Sequence, residues 1–167
     1  MLIRLGHLSV LEHAHATFRI KGGSRAFTHQ IVRHRLASYS QQSQRYVSDA
    51  SFDYVVPETI KANADAHGKY VEMMEQIKKT YGELQELGIP NEDARFLLPN
   101  AVVSEIVMSA NLREWRHIFS VRCEAPAQWE IRMICIKMLE LLQEAVPTVF
   151  SDFVIDKDKM VATRKAT

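Results

Sequence analysis

The stretch HATFRIKGGSRAFTHQIVRHRLASYSQQSQRYV, residues 15–47, contains a strand pattern, a helix start and a cluster of polar side chains. Polar and apolar residues alternate over 15–22, which predicts a half-buried strand that ends at the Gly22–Gly23 pair. Ser24 is a favoured N-cap residue, so we expect a helix over residues 25–38. A strand followed at once by a helix is the first indication of a fold that mixes the two.

The second half of this stretch, RHRLASYSQQSQRYV at 33–47, holds three arginines, a histidine, three serines and three glutamines but no Asp or Glu. Gln30, Arg33 and His34 have i, i+3, i+4 spacing and would share one face of the predicted helix. Arg33 and Arg45 could converge on one anion from two directions, since guanidinium groups bind phosphate oxygens bidentately. A solvated surface with scattered ion pairs is the alternative explanation of such a cluster.

Helical and strand patterns follow one another in the middle of the chain. Pro57 is expected to open a helix in its first turn, and Gly88 is expected to end it. Asn91 is the expected cap of a short helix that Pro99 stops. Residues 101–110, AVVSEIVMSA, are rich in β-branched side chains and predict a strand.

The last third of the chain reads mainly as helix. One helix is expected over 111–122, and a second from Pro126, near its first position, to Pro147, which ends it. The polar tail, about 156–167, is expected to be loose. This order of elements predicts an α+β, or mixed α/β, fold in a single domain over residues 1–167.

Charge and composition restrict the class of ligand. The chain has 167 residues, 21 of them basic and 20 acidic, with a net charge of +1. Proteins that bind a nucleic-acid backbone usually carry a larger basic excess, so a small anionic ligand is favoured. Two cysteines without a C-x-x-C motif are typical of a reduced, cytoplasmic protein. We expect no signal peptide, because Arg4 and His7 interrupt the first apolar residues, and no membrane span.

Four motifs resemble elements of one known family, and they occur in that family's order. RHR at 33–35, followed after seven residues by Ser43, is similar to the signature of the flavin-dependent thymidylate synthases. GHLSVLEH at 6–13 resembles that family's His-x-[ST]-x-x-Glu-His element, and EDARFLLP at 92–99 resembles its Asp-Ala-Arg…Leu-Pro segment. NLREWRHIFSVRCEAPAQWEIR at 111–132 resembles its Asn-x-Arg…Ala-Gln-Trp-Glu-Ile element.

This resemblance implies an activity, a fold and an assembly. The activity is reductive methylation of dUMP to dTMP, with methylenetetrahydrofolate as carbon donor, NADPH as reductant and FAD as hydride carrier. The fold is a mixed α/β fold particular to the family, with a central, mostly antiparallel sheet packed with helices. The assembly is a cytoplasmic homotetramer whose active sites form where subunits meet. No nucleic-acid or membrane partner is expected.

The resemblance also assigns roles to residues by their motif positions. The positions implied to be catalytic are Arg122 and His7. The positions implied to bind dUMP are Gln30, Arg33, Gln41, Ser43, Gln44, Arg45, Arg95 and Arg122. The positions implied to bind FAD are Ser9, Glu12, Arg33, His34, Arg35, Gln41, Asn111, Arg113 and His117. Of these, Arg95 would come from another subunit.

Arg122 matches the arginine that contacts the pyrimidine in this family and favours ionisation at N3. A permanent cation suits that role, because negative charge develops on the uracil ring during hydride attack and a pre-placed guanidinium stabilises it. His7 matches a histidine close to the flavin and the folate region.

Other reactive side chains in the sequence have simpler interpretations. Cys123 follows an arginine, whose charge could lower the pKa of the thiol. We nevertheless interpret Cys123 and Cys135 as structural. We assign Ser43 a binding role, since no base is evident beside it. His13 and His15 form an H-x-H pair, which is weak evidence for a metal, so we expect no metal site.

Three positions depart from the family's pattern and keep alternatives open. Gln41 stands where many members have Glu, Pro126 where some have a flavin-proximal His, and His117 where others have Asn. A family member that binds FAD and dUMP but has altered methyl transfer is therefore one alternative. A non-catalytic nucleotide- or RNA-binding module is another, and it predicts steep salt dependence and no flavin.

Overall fold

The computed structural model describes residues 3, 5–44 and 52–165. The strands in these ranges are β1 (His15–Ser24), β2 (Ala37–Gln41), β3 (Val103–Asn111), β4 (Phe153–Asp156) and β5 (Val161–Arg164). The α-helices are α1 (Arg25–Ile31), α2 (Glu58–Lys61), α3 (Ala64–Glu86), α4 (Asn91–Ala94), α5 (Leu112–Arg122), α6 (Trp129–Ala145) and α7 (Pro147–Phe150). Two 3₁₀ helices span Leu8–His13 and Arg95–Leu97. The predicted mixture of helix and strand is confirmed.

The strands form two separate sheets. One has the order β1-β3-β2, and the other pairs β4 with β5 in antiparallel fashion. Leu112 N donates to the Ala14 carbonyl at 2.9 Å, and the hydroxyls of Thr17 and Ser109 lie 2.7 Å apart. Residue numbers therefore rise along β1 as they fall along β3, which makes this pair antiparallel. β3 alternates buried and half-buried residues along its whole length, as a strand with one face on a core should.

The chain divides into two compact units. Unit 1 comprises Met1–Ile20, His29–Ser40 and Ile106–Thr167, and unit 2 comprises Lys21–Thr28 and Gln41–Glu105. Each unit therefore contains segments that are far apart in sequence.

The core of unit 1 is aromatic and centres on α5. Trp115 and Phe119, both fully buried on α5, stack with their ring centroids 5.7 Å apart. The Phe18 ring meets Trp115 edge-on at 5.1 Å, and Trp115 Nε1 donates to the Ala16 carbonyl at 3.1 Å. The Phe150 ring meets Phe119 edge-on, with the ring centroids 5.7 Å apart. Each buried ring of this size stabilises the fold by about 1.5–3 kcal/mol, so α5 is firmly anchored.

Unit 2 packs the long helix α3 against residues that precede it. Met74 and Tyr81 are the buried residues of α3, and the Tyr81 ring meets Phe52 edge-on at 6.5 Å. Gly88 follows the helix with φ +81°, the left-handed conformation that ends helices, so the sequence prediction for that residue is confirmed.

The helix predicted over 25–38 is shorter in the structure. Ser24 Oγ accepts from Phe27 N at 3.1 Å, so the predicted cap is confirmed. The helix ends at Ile31, however, and the chain leaves it in a tight turn in which Arg33 N and His34 N donate to the carbonyls of Gln30 and Ile31, both at 3.2 Å. The hydroxyl of Tyr39 also donates to the carbonyls of Ile31 (2.8 Å) and His34 (2.9 Å), which stabilises this turn.

This early end also corrects two neighbouring predictions. Gln30, Arg33 and His34 do not share a helix face, since the last two lie in the turn after α1. The Gly22–Gly23 pair does not end β1, which continues to Ser24.

Three predicted helix starts were displaced by one to three residues. Pro57 is the N-cap of the short helix α2 rather than a residue of its first turn, and α3 begins separately after Asn63. Asn91 is the first residue of α4 rather than its cap. Pro126 precedes α6, whose cap is Gln128: its side-chain oxygen accepts from Glu130 N and Ile131 N.

The tail is not loose over the residues that the structure describes. β4 and β5 form a hairpin in which Asp156 Oδ1 accepts from Asp158 N at 3.1 Å and Lys159 N at 3.0 Å. Phe153 and Ala162 of the hairpin are buried. The side-chain turn and these two anchors order a segment whose composition is polar.

None of the helices within the described ranges is long and apolar enough to cross a bilayer.

Candidate functional site

The end of α5 holds a hydrogen-bonded pair between Arg122 and His34. Arg122 Nε donates to His34 Nε2 at 2.9 Å, and Arg122 Nη2 donates to the Gln30 carbonyl at 3.4 Å. His34 is 7% exposed, whereas Arg122 is half-buried. The pair therefore joins a permanent cation at a partly open surface to a buried imidazole. Gln30, His34 and Arg122, which the sequence assigned to the nucleotide or flavin site, are brought together here.

His34 is neutral over the physiological pH range. Burial, then the charges of Arg122 and His117, lower its pKa from 6.5 to about 4. Because guanidinium nitrogens only donate, Nε2 of His34 must be the accepting nitrogen and Nδ1 must carry the proton.

The protonated Nδ1 of His34 faces a buried carboxylate. Glu114 Oε1 lies 3.6 Å from it, and the Glu114 side chain is 6% exposed. Burial raises the pKa of Glu114, while the nearby His117 partly opposes that shift. Tyr39 shares this environment, since burial and the Glu114 charge raise its pKa to about 12. The tyrosine therefore remains a hydrogen-bond donor, as its contacts to backbone carbonyls require.

A cleft of about 750 Å³ opens beside this centre within unit 1. Its lining includes six side chains that the sequence did not assign to a site. The lining residues are Leu8, Glu12, Leu36, Asn111, Arg113, Glu114, Arg116, His117, Ser120 and Arg164. Glu12, Asn111, Arg113 and His117 are four of the positions that the sequence associated with FAD, and the structure places all four on this one cleft.

Two of these four positions form an ion pair with each other. Arg113 Nη1 donates to Glu12 Oε1, which ties α5 to the 3₁₀ helix Leu8–His13. The Asn111 side-chain oxygen accepts from Glu114 N at 2.8 Å and so caps α5. His117 meets His34 edge-on, with the ring centroids 5.9 Å apart. The cleft wall is thus joined to the Arg122 centre by side-chain contact.

Another wall of the cleft is formed by two arginines around Asp152. Arg116 is 3% exposed and binds Asp152 in bidentate fashion, with Nη1–Oδ1 at 2.7 Å and Nη2–Oδ2 at 2.6 Å. Arg164 Nε donates to Oδ2 of the same carboxylate at 3.4 Å and remains 44% exposed. Arg164 therefore presents cationic surface to the cleft.

The other unit 1 residues that the sequence assigned to a site are exposed. His7 precedes the 3₁₀ helix and Ser9 belongs to it, and both are exposed. Arg33 and Arg35 are exposed in the turn that follows α1. None of these four lines the cleft, so the structure does not bring them to the residues described above.

In unit 2, Gln41 is held by two hydroxyls. Its Nε2 donates to Thr28 Oγ1 at 2.9 Å and to Ser104 Oγ at 3.2 Å, and Thr28 in turn donates to the Arg25 carbonyl at 3.1 Å. Thr28 and Ser104 are buried. The amide nitrogen of Gln41 donates both hydrogen bonds, and a carboxylate at this position could donate neither.

Unit 2 also brings two arginines near each other. Burial and the charge of Arg95 lower the pKa of Arg25. Arg95 Nε donates to the Glu92 carbonyl at 3.1 Å. Ser43 and Gln44 are half-buried residues of this unit that follow β2. Arg45, also predicted to bind dUMP, lies outside the described residues.

Neither cysteine is a thiolate. Cys123 and Cys135 are fully buried, and burial raises the pKa of Cys123 to about 12 and that of Cys135 well above its usual value. The sequence raised the possibility that the neighbouring arginine lowers the Cys123 pKa, but burial shifts it in the opposite direction. Within the described ranges, no group of three or more His, Cys, Asp or Glu is arranged to hold a metal.

Sequence reasoning missed Glu114, Tyr39, Arg116 and Arg164. The signal for Glu114 was its position at i−3 from His117 and at the N-terminal turn of α5. Tyr39, Arg116 and Arg164 gave no such signal, since their partners lie on other elements of unit 1.

Fold and site together define a mixed α+β protein with a buried histidine–arginine centre beside a polar cleft. Residues 1–148 match the family model Thy1, described as thymidylate synthase complementing protein. The chain belongs to this family.

Individual relatives agree with the family match. The flavin-dependent thymidylate synthase of Geobacter sulfurreducens is 48% identical over 153 residues, which cover 90% of this chain and 66% of the relative. Those of Nitratidesulfovibrio vulgaris (46%, covering 90% and 64%) and Pyrococcus abyssi (49%, covering 83% and 59%) are similar. The chain thus spans about three fifths to two thirds of the length of these relatives.

Proposed function

We propose that the chain catalyses reductive methylation of dUMP to dTMP, with methylenetetrahydrofolate as carbon donor, NADPH as reductant and FAD as hydride carrier. One observation carries the proposal: in a chain of the Thy1 family, the guanidinium of Arg122 is held by His34 Nε2 at 2.9 Å at the open end of α5. The names of its relatives, flavin-dependent thymidylate synthases, agree with this activity.

Arg122 supplies the electrostatic part of the proposed reaction. Methyl transfer to the pyrimidine requires negative charge to develop on the uracil ring. A guanidinium stays protonated at every physiological pH, so it stabilises that charge without a proton transfer of its own. Two of its nitrogens are already bound on the protein side, by His34 and by the Gln30 carbonyl, which limits the rotation of the group.

The cleft of unit 1 fits a flavin dinucleotide in size and donor chemistry. Its volume of about 750 Å³ lies in the usual range for cofactor sites. Arg113 and Arg164 suit the diphosphate, and Asn111, His117 and Ser120 suit ribose or ring heteroatoms. FAD bound there would supply hydride transfer. The arginines of the cleft would neutralise the diphosphate, and α5 would form one wall of the cofactor site.

The phosphate of dUMP needs further cations beyond Arg122. Arg33, which is exposed, and Arg95, which has a cationic neighbour in Arg25, suit this role. Ser43 and Gln44 supply short-range donors, and the motif assigns Arg45 to the same phosphate.

We further propose a homotetramer in the cytoplasm, without a nucleic-acid or membrane partner. The resemblance of the motifs to those of the family, whose active sites form where subunits meet, supports this assembly. The two free, buried cysteines suit a reducing compartment.

The test is a two-stage assay on the purified chain. First, dUMP is titrated into the FAD-loaded protein while the visible flavin spectrum is recorded, and a saturable change is expected. Second, NADPH and methylenetetrahydrofolate labelled in its methylene group are added, and label is expected in dTMP. A spectrum that ignores dUMP contradicts a shared nucleotide and flavin site.

A second candidate function follows from Gln41. Its amide donates to Thr28 and Ser104, whereas a carboxylate at this position would accept from them. We infer that this polarity suits a family member that binds FAD and dUMP with altered methyl transfer. Flavin perturbation by dUMP without labelled dTMP would support this candidate, and restored label transfer in Gln41→Glu would assign the difference to this residue.

A further inference from the structure

We propose that Glu114 is a positioning residue: through the imidazole of His34 it fixes the orientation of the Arg122 guanidinium. Three side chains of unit 1 form the connection. Glu114 Oε1 lies 3.6 Å from His34 Nδ1, and His34 Nε2 accepts from Arg122 Nε at 2.9 Å.

Burial of Glu114 and His34 favours one orientation of the imidazole ring. Glu114 is 6% exposed and His34 is 7% exposed, so both side chains are largely shielded from bulk water. An uncompensated buried polar group is costly, which favours conformations in which Nδ1–H points at the carboxylate. The opposite nitrogen of the ring is then presented to Arg122 as an acceptor.

Arg122 can donate to His34 Nε2 only if the proton of the neutral ring is on Nδ1. With the proton on Nε2, two donors would oppose each other at 2.9 Å, and the Arg122 contact would be lost. A carboxylate facing Nδ1 selects the required tautomer, in the way that second partners of functional histidines commonly do. The backbone also restrains the ring, since the Tyr39 hydroxyl holds the His34 carbonyl at 2.9 Å.

The charged and titratable groups around His34 are consistent with a neutral ring. From α5 they are Glu114, His117 and Arg122, and from β2 the group is Tyr39. Burial lowers the pKa of His34 and raises that of Glu114. Both shifts disfavour the charged form of the group, which agrees with a neutral His34 ring.

The experiment observes protons of the ring and the guanidinium by NMR of the ¹⁵N-labelled chain. Two-bond ¹H–¹⁵N spectra give the His34 tautomer, and exchange with water gives the protection of the Arg122 Nε–H. The variants are Glu114→Leu, which removes the acceptor, and Glu114→Gln, which retains an oxygen. The matched control is Glu130→Leu, because Glu130 is an equally buried carboxylate (3% exposed) on α6.

In the wild type we expect a protonated Nδ1 and a slowly exchanging Arg122 Nε–H. Exchange should become about tenfold faster in Glu114→Leu, which corresponds to about 1.4 kcal/mol. Glu114→Gln should restore most of the protection, and Glu130→Leu should leave it unchanged. A protonated Nε2 in the wild type, or equal exchange in Glu114→Leu and Glu130→Leu, would overturn the inference.

The wild type alone provides a second test if Glu114→Leu does not fold. On lowering the pH, the His34 nitrogen shifts should respond to protonation of Glu114 in addition to the step in which the ring itself is protonated near pH 4. Shifts that report only the protonation of the ring would overturn the proposed contact.

The consequence for dUMP rests on the proposed function, whereas the NMR measurements do not. If Arg122 acts on the pyrimidine, Glu114→Leu should lower kcat for dTMP formation more than it raises KM for dUMP, and Glu114→Gln should recover it. A wild-type chain that shows the His34 and Arg122 signals but ignores dUMP would contradict the proposed function and still support the positioning role.

Discussion

Arg122 Nε donates to Nε2 of a buried, neutral His34 at 2.9 Å, so a permanent cation is oriented by an uncharged partner. This choice of partner matters electrostatically. A carboxylate in the same position would neutralise the guanidinium, whereas an imidazole holds it and leaves its charge available to a ligand.

Replacing Arg122 by Lys tests whether the oriented guanidinium, rather than charge alone, is required. Lysine keeps the charge but cannot reach His34 and the Gln30 carbonyl with a planar group. We expect kcat for dTMP formation to fall by about 10²–10³, the usual cost of removing one preorganised donor. The control is Arg132→Lys, since Arg132 binds the carbonyls of Ala125 and Ala127. Equal rates in the two variants would contradict the role of Arg122.

The depressed pKa of His34 predicts a loss of stability in mild acid. Between the unfolded value of 6.5 and the folded value of about 4, the unfolded chain binds the proton and the folded chain does not. Stability is therefore fully present above pH 6.5 and falls by about 2–3 kcal/mol as pH drops to 4.

The measurement is urea unfolding from pH 7 to pH 4 in the wild type and in His34→Gln. Glu114 changes the stability in the opposite direction. Because its pKa is raised in the folded chain, its protonation at lower pH stabilises the folded state. The difference between wild type and variant isolates the histidine. The exposed His15, replaced by Gln, is the control. Parallel pH curves for wild type and His34→Gln would refute the prediction.

The Arg116–Asp152 pair should be essential for the stability of unit 1. Asp152→Asn leaves Arg116, 3% exposed, without its bidentate counter-charge. We expect the free energy of unfolding at pH 7 to fall by about 3–5 kcal/mol, the usual cost of breaking a buried pair from one side. Asp158→Asn in the exposed turn of the β4–β5 hairpin should cost far less.

This pair also predicts the pH dependence at the acid end. Burial alone would raise the Asp152 pKa, but hydrogen bonds and charge from Arg116, with help from Arg164, hold it below its usual 3.8. The pair's contribution is thus present above pH 3.8 and disappears as pH falls through the lower folded pKa. In urea unfolding at a series of pH values, Asp152→Asn should lose the part of the stability decrease in acid that comes from this carboxylate. A variant whose stability varies with pH as in the wild type would count against the pair.

Arg164 should contribute to flavin binding through its exposed guanidinium on the cleft. Arg164→Gln removes the charge and should raise the dissociation constant for FAD about tenfold, or about 1.4 kcal/mol, at low salt. Lys165→Gln, the next residue along, does not line this cleft and serves as the control. Fluorescence titration of FAD into both variants makes the comparison. Equal affinities would exclude Arg164 from the flavin site.

Local rules predicted several elements of this fold correctly. The alternation over 15–22 indicated β1, Ser24 capped the helix as expected, and Gly88 ended α3. Each of these features depends on residues within a few positions, which is the range over which propensity and capping act.

Features that depend on distant partners were not predictable in this way. α1 ends at Ile31 in a turn that the hydroxyl of Tyr39 stabilises from β2, and no pattern before Ile31 indicates this. The tail forms a hairpin because Phe153 and Ala162 are buried in unit 1, although its composition is polar.

The sequence by itself determined which family the chain resembles and the approximate order of helices and strands, and it indicated candidate arginines and amides for the site. Only the tertiary structure decided that Arg122 is held by a neutral His34, that Glu114 faces the other nitrogen of that ring, and that burial keeps Cys123 protonated. The physical reason is that desolvation and side-chain hydrogen bonds depend on the groups that surround a residue in space. Residue identity and spacing along the chain do not specify those groups.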